Sequence, residues 1–431
     1  MDLPDIDPPA PDPADPEALL RALFDRAVAV ADPMRVIPSH LPPRPEGRVV
    51  VIGAGKASAR MAEAVESVWG PCEGLVITRY GYARPCEGIE IVEAAHPVPD
   101  AAGAEATRRM LALLGTLKEG DMVLALISGG GSALLTCPAA GITLAEKQAL
   151  TQSLLASGAP IGDINGIRKE LSAVKGGRLA VAAYPARMVA LMISDVPGDS
   201  PGDIASGPTV GYAGDAARAL ACLAQWQVEP PAAIRAFLEA GGNPVAPDDL
   251  KLSRVENRVI SAPSQSLAAA AVMGRAAGCD VRLLGDAIEG EAREVAAAHA
   301  SEALKLQATL AADAPPVLLL SGGELTVTRR GDGVGGPNAE YALALAIALQ
   351  GAPGIHALAC DTDGVDGAAE VAGAVIGPGT LTKGPTAADA LARNDAHGYF
   401  AGIGDQVVTG PTLTNVNDFR AILIHPKEAA R

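Results

Sequence analysis

Lys56 is the residue on which a chemical reading of this chain is best built, because it lies in GAGKAS (53–58), a glycine turn between an apolar run and an amphipathic stretch. Gly53 and Gly55 allow dihedrals closed to other residues, so amide N–H groups at a helix start can face an anion while Lys56 adds a full charge. A second turn, Ser128-Gly129-Gly130-Gly131-Ser132, removes side chains from three successive positions and flanks them with hydroxyls, which suits a phosphate cradle. Asp195, Asp199 and Asp203 recur every four residues behind an apolar run, and Asp361, Asp363 and Asp366 crowd a glycine-rich loop. Hard carboxylate oxygens suit Mg²⁺, with Asp195, Asp361 and Asp363 as the candidate ligands. Gly322-Gly323-Glu324 repeats the pattern of a strand ending in a glycine turn.

Known fingerprints fit these turns incompletely. A P-loop would need glycine at Val50 and a hydroxyl residue at Ala57, and the dinucleotide pattern would need glycine at Ser58. The aspartates from Asp361 open like an EF-hand, but no helix precedes them and no glutamate closes the loop in register. His96, between a strand end and two prolines, reads equally as a substrate contact or as a histidine satisfied in a rigid loop. In NGIRKELSAVKGGRLA (165–180), taken as one helix, Ile167, Leu171 and Val174 share the core face. Arg168, Ser172 and Lys175 then line its flank, and Lys169 points away from both. In so acidic a chain, that basic flank reads as a cleft wall, with a solvated helix face as the alternative. Near Pro337, Asn338 and Glu340 can satisfy the first donors of a helix.

These residues need a scaffold, and the hydrophobic pattern supplies one. The apolar runs at 49–52, 122–127, 188–193, 318–320 and 355–360 read as buried parallel strands, each ending in a glycine or acidic loop. Met61, Val65 and Val68 mark one helix face behind the Lys56 turn. In a doubly wound sheet such loops share one edge and converge on one cleft. The pattern predicts a mobile tail over 1–14, a helix from Pro16 with Leu19, Leu20, Leu23 and Phe24 as its stripe, and a proline-rich connection over 33–45. A domain boundary falls near 250, which gives domains of 15–250 and 251–431.

The composition narrows the partners. The 431 residues carry a net charge of −16, which argues against nucleic acid and against an anionic membrane surface. Aromatics are 3%, so the core must be packed with Ala, Val, Leu and Ile. Six scattered cysteines suggest neither zinc nor a disulfide framework, and reduced thiols in the cytoplasm are the expectation. The N-terminus is acidic and proline-rich, unlike a signal peptide, and no apolar run approaches a membrane span. Lysine, arginine, glycine turns and aspartates together match phosphoryl transfer, which demands positioning and charge neutralisation.

GAGKAS, HPVPD (96–100), SGGGSALL (128–135), NGIRKELSAVKGGRLA, SDVPGD with ASGPT (194–199, 205–209), SGGE (321–324), DTDGVDG (361–367) and TGPTLTNVND (409–418) together resemble the glycerate 2-kinase family with a MOFRL-type C-terminal domain. Some members of that family carry the name hydroxypyruvate reductase. The resemblance spans about residues 19 to 425. It implies an α/β chain of two domains, an N-terminal Rossmann-like doubly wound parallel sheet and a smaller α/β domain with a mixed sheet. It also implies transfer of phosphate from ATP, with Mg²⁺, to the 2-hydroxyl of D-glycerate in an interdomain cleft. Lys56 is then the active-site lysine, and Asp195 or Asp199 the catalytic aspartate. Gly53, Gly55, Ser128, Gly129, Gly130, Gly131, Ser132, Gly322, Gly323 and Glu324 are expected at the nucleotide phosphates, and His96, Arg168, Ser172, Lys175 and Asn338 at the substrate. A homodimer is left open. Two departures stand out: Pro337 occupies the position of a family arginine, so that Arg168 or Lys175 would have to supply its charge, and Leu413 occupies that of a glycine. The competing reading is a nicotinamide-dependent hydroxypyruvate reductase, which the lack of glycine at Ser58 disfavours. A non-catalytic sensor of phosphorylated sugars would leave Lys56 and the aspartates without a task.

Overall fold

The computed structural model describes residues 10–159 and 161–427, which fall into two compact units. The first, Pro33–Ser261, is built on six parallel strands: β1 (Val49–Ala54), β2 (Glu73–Arg79), β3 (Ile89–Ala94), β4 (Met122–Ile127), β5 (Arg187–Ile193) and β6 (Val255–Ser261). Their order is β3-β2-β1-β4-β5-β6. Every pairing is parallel. Strands β1 and β4 are buried along their whole length, as a parallel sheet covered on both faces requires. The direction of winding reverses between β1 and β4, so the turns after these two strands open at the switch point where doubly wound folds bind ligands.

The second unit contains the residues up to Asp32 and those from Ala262. Its strands are β7 (Asp280–Gly285), β8 (Gly290–Glu291), β9 (Val317–Gly323), β10 (Leu325–Thr326), β11 (Ile355–Asp361), β12 (Gly373–Ile376), β13 (Gln406–Val407) and β14 (Asp418–Ile424). The main sheet runs β13-β12-β11-β14-β9-β7. It is mixed, because β14 is antiparallel to both β9 and β11 whereas β7 and β9 are parallel. Helix Pro337–Leu349 is buried nearly all round, with alanines alternating among leucines so that strands and helix approach closely.

The division differs from the expected boundary at 250. Strand β6 is the edge of the first sheet, so the break comes after Ser261. The N-terminal helix Pro16–Val30 lies with the second unit: Leu19, Leu20, Leu23, Phe24 and Ala27 pack on Leu318, Leu320, Leu358 and Phe419. Its stripe was legible in sequence, but its partner is some 300 residues downstream. Of the expected tail 1–14, residues 1–9 lie outside the described residues; Ala10 packs on this core, and Asp12 accepts from the amide of Ala14 at 2.8 Å. Within the supposed connection 33–45, Pro33–His40 is helical despite Pro38. Val68, expected on a buried face, is 49% exposed. No helix among the described residues is long and apolar enough to cross a membrane.

Candidate active site

Strands β1 and β4 touch so closely that their glycines are packing requirements. A Cβ on Gly53 would lie 2.5 Å from the carbonyl oxygen of Leu126, and one on Gly55 2.0 Å from Ser128 Oγ. Ser128 Oγ accepts from the amide of Ala57 at 3.0 Å and lies 3.2 Å from Ser58 Oγ. The amide of Lys56 donates to Gly129 O at 2.8 Å, and that of Ser58 to Gly55 O. The start of helix Ser58–Trp69 is therefore satisfied by protein, which corrects the expectation that Gly53, Gly55 and Ser128 offer donors to an anion. Sequence could not show that one turn caps the other.

What the Lys56 turn offers is its side chain. Gly130 adopts φ +79°, and a Cβ there would meet Lys56 Cγ at 3.1 Å and His96 Cδ2 and Nε2 at 3.2 and 3.3 Å. Lys56 and His96 thus flank one bare Cα, where a methyl would press on both side chains and the φ of +79° itself favours glycine. No intramolecular acceptor is assigned to the amides of Gly129 and Gly130 among the described residues. Gly131 begins the short helix Gly131–Leu134 and lies against Ala205, whose Cβ would be 2.7 Å from an added one. Ser132 Oγ is 2.8 Å from Ser206 Oγ.

That contact brings in the loop after β5. Asp199, Ala205 and Ser206 all have φ between 52° and 64°, a conformation costly for residues with a side chain and concentrated at functional sites. One carboxylate oxygen of Asp199, Oδ1, is buried without a hydrogen-bond partner. Asp203 is spent differently: Lys169 Nζ donates to it at 3.1 Å while lying 5.2 Å from the centre of the Tyr212 ring. Lys169, expected to point away from both the core face and the basic flank, is therefore a buried clamp on the acidic loop.

The helix predicted over 165–180 is two helices, Ile161–Glu170 and Arg178–Ala183, joined by a turn. The first ends at Glu170, and Gly176 and Gly177, at φ +56° and +82°, turn the chain into the second. Arg168, Ser172 and Lys175 consequently do not form one helical line. Ser172 is buried, accepts from the amides of Val174 and Lys175 at 3.2 Å, and shapes the turn. Lys175 is fully buried and donates to Leu135 O at 2.8 Å. Arg168 reaches Asn165 Oδ1 at 3.3 Å. Lys147 on helix Leu144–Ser157, which the sequence reading missed, is also buried.

In the second unit β9, β11 and β14 bring Gly323, Asp361 and Asp418 to one sheet edge, so the five glycine or acidic loops are divided between two sheets. Gly322 and Gly323 direct their carbonyls at Arg420, at 3.1 and 2.9 Å, and a Cβ on Gly323 would fall 2.2 Å from Ile288 N. These contacts are those of packing and not of an anion nest; Glu324 beside them is exposed. Asp361 accepts from the amide of Asp363 and Asp363 from that of Val365, at 2.9 and 2.7 Å, so both carboxylates fold their own loop. Asp366 caps helix Pro337–Leu349 through the amides of Asn338 and Ala339 and receives His397 Nε2 at 3.0 Å. Asn338 is buried, with Nδ2 on Asp418 at 2.7 Å and its Oδ1 unpartnered. Burial holds the Asp418 carboxyl above its ordinary range, an effect that Arg420 opposes. Among the described residues no three His, Cys, Asp or Glu side chains are grouped as a metal site. Pro337 is the first residue of its helix, a place where a missing amide costs nothing. Leu413 has φ +63°, which explains why glycine suits that position.

A doubly wound sheet with a lysine turn and a bare glycine turn at its switch point is the build of a small-molecule, nucleotide-type enzyme. Residues 19–239 match a domain of unknown function (DUF4147), and residues 317–418 match the MOFRL family. A D-glycerate 2-kinase of Thermotoga maritima is 37% identical over 415 residues, covering 94% of this chain and 98% of that one. A protein of Agrobacterium vitis named putative hydroxypyruvate reductase is 49% identical over 416 residues, 94% of each chain. The crystal structure of glycerate kinase from Thermotoga maritima superposes with a TM-score of 0.83 at 36% identity, covering 95% of this chain and all of the other. The chain belongs to the glycerate 2-kinase family with a MOFRL-type C-terminal part.

Proposed function

We propose that this protein transfers the terminal phosphoryl group of ATP to the 2-hydroxyl of D-glycerate. The observation that carries the reading is the convergence of Lys56, His96 and Gly130 at the β1/β4 switch point. Phosphoryl transfer needs charge neutralisation and alignment more than covalent chemistry. Lys56 supplies a cation to the transferring group, and the amides of Gly129 and Gly130 supply donors at fixed positions. Ser132, held by Ser206, keeps the phosphate turn and the acidic loop in register. His96 orients the acceptor. Asp199, with its unpartnered oxygen on a strained turn, takes the proton of the attacking hydroxyl.

Asp195 and Asp199 also fit a Mg²⁺ that arrives with the nucleotide, since this ion is usually held by one or two carboxylates plus substrate phosphates and water. Such an ion would neutralise the phosphate oxygens when bound.

A hydroxypyruvate reductase finds less support. The third glycine of a dinucleotide fingerprint is Ser58, buried and bonded to Leu126 O at 2.9 Å, and the amides that would hold a pyrophosphate are already bonded to Gly129, Ser128 and Gly55. The test is an assay of the purified protein with ATP, Mg²⁺ and D-glycerate, with the product identified. 2-Phosphoglycerate is expected; 3-phosphoglycerate alone would reject the regiochemistry.

A further inference from the structure

Three cations meet in the first unit with no acid to hold them. Lys147 is 6% exposed and its Nζ has no hydrogen-bond partner. The helix that carries it is fixed at its start by Thr143 and Glu146, which cap each other's amides. Lys175 is fully buried, and Arg168 is partly buried. Burial first, then Lys147 and Arg168, depress Lys175; burial first, then Arg168 and Arg178, bring Lys147 down to about 8. The Cys137 thiol is no counter-ion, because burial raises its own pKa. Among the described residues no carboxylate helps to keep Lys147 or Lys175 charged.

Such a cluster is costly by itself, since buried charges are ordinarily paired. The bond from Lys175 to Leu135 O gives one of the three a structural task, but gives none to Lys147 or Arg168. Two contacts link the cluster's elements to segments that carry the candidate active site. Gln148, next to Lys147, donates to Pro99 O at 2.6 Å in the loop that carries His96. Leu135, the acceptor for Lys175, ends the short helix opened by the Gly129–Gly131 turn.

We propose that Lys147, Arg168 and Lys175 form a receptor for the carboxylate of the acceptor substrate, and that this receptor selects a hydroxy acid over its uncharged analogue. The inference rests on the glycerate reading above. An arriving carboxylate supplies the missing counter-charge, restores the full charge of Lys147 and leaves the substrate hydroxyls directed at Lys56 and Asp199. Lys147 is the specificity-determining residue, because Lys175 already has a backbone acceptor.

The experiment compares the full-length protein with Lys147→Met and Lys147→Arg, using D-glycerate and D-glyceramide as acceptors. Lys147→Met is expected to raise KM for D-glycerate about 30-fold while leaving KM for ATP within about twofold. The preference for glycerate over glyceramide falls by a similar factor, and Lys147→Arg recovers part of it. Removal of an unpartnered buried cation should leave the ligand-free Tm unchanged or raised, so a misfolded variant is recognisable. D-Glycerate without nucleotide should raise the Tm of the wild type but not of Lys147→Met. Unchanged KM and unchanged preference in a folded Lys147→Met would overturn the receptor, as would the absence of any glycerate-induced shift in the wild type. If the wild type forms no phosphoglycerate yet shows a glycerate shift that Lys147→Met abolishes, the reaction is wrong and the receptor stands.

Discussion

At the scale of the residue, Lys56 stands out in the sequence as a lysine inside a glycine turn, and the fold sets its side chain beside Gly130 and His96. Its neighbours were misread in an instructive way. Gly53, Gly55 and Ser128 have the composition of an anion cradle, yet their contacts join β1 to β4, and only the pairing of residues some 70 positions apart reveals this. Lys169 and Lys147 have no sequence signal that separates a clamp or a buried cation from a solvated lysine. Lys56→Ala should lower kcat by at least about 100-fold with an unchanged Tm, as expected for a cation that acts mainly on the transferring group. Steady-state kinetics beside thermal unfolding check this, and a loss confined to KM would move Lys56 to ground-state binding. Lys169→Ala should instead lower stability by ~1–3 kcal/mol, since Asp203 and Tyr212 lose their partner on a loop already strained at Ala205 and Ser206. Urea unfolding reads that difference.

At the scale of the element, the strands were legible as continuous apolar runs, but their direction was not in the second unit: β11, which reads as a parallel strand, is antiparallel to both its neighbours, and β9 is antiparallel to β14. The helix over 165–180 was not legible, because its periodicity continues through Gly176 and Gly177 while the backbone there turns left-handed. Periodicity reports which side chains are apolar, whereas the helix stops at Glu170 and the chain restarts only beyond two left-handed glycines. Two glycine substitutions separate packing from chemistry. Gly55→Ala places a methyl on Ser128 Oγ and should cost ~2–4 kcal/mol in urea unfolding. Gly130→Ala should cost only ~1 kcal/mol for its φ of +79°, but should displace Lys56 and His96 and remove most activity. Equal stability losses with equal residual activity would mean that the two turns do not differ in role.

At the scale of the whole molecule, the two-part α/β build was legible in the alternation of strands and helices, whereas the boundary was not. The helix Pro16–Val30 joins the second unit because its stripe needs a sheet face to cover, and sequence order carries no information on which face that is. The same unit holds a pH-dependent contribution. His299 is buried with Nδ1 2.7 Å from Tyr341 Oη, and burial, aided by the Arg420 charge, brings its pKa down to about 4. The unfolded chain then binds a proton near pH 6.5 that the folded chain refuses until about pH 4, so stability falls as pH drops through that window. The loss reaches ~3 kcal/mol at most, and His299→Gln should flatten the denaturant midpoint between pH 7 and pH 5. The central claim, phosphoryl transfer at the Lys56 site, is tested most directly by phosphorus NMR of a reaction containing the full-length protein, ATP, Mg²⁺ and D-glycerate. A single new phosphomonoester, 2-phosphoglycerate, is expected from the wild type and should be lost in Lys56→Ala. No phosphoglycerate, together with oxidation of NADH by hydroxypyruvate in the absence of ATP, would contradict it.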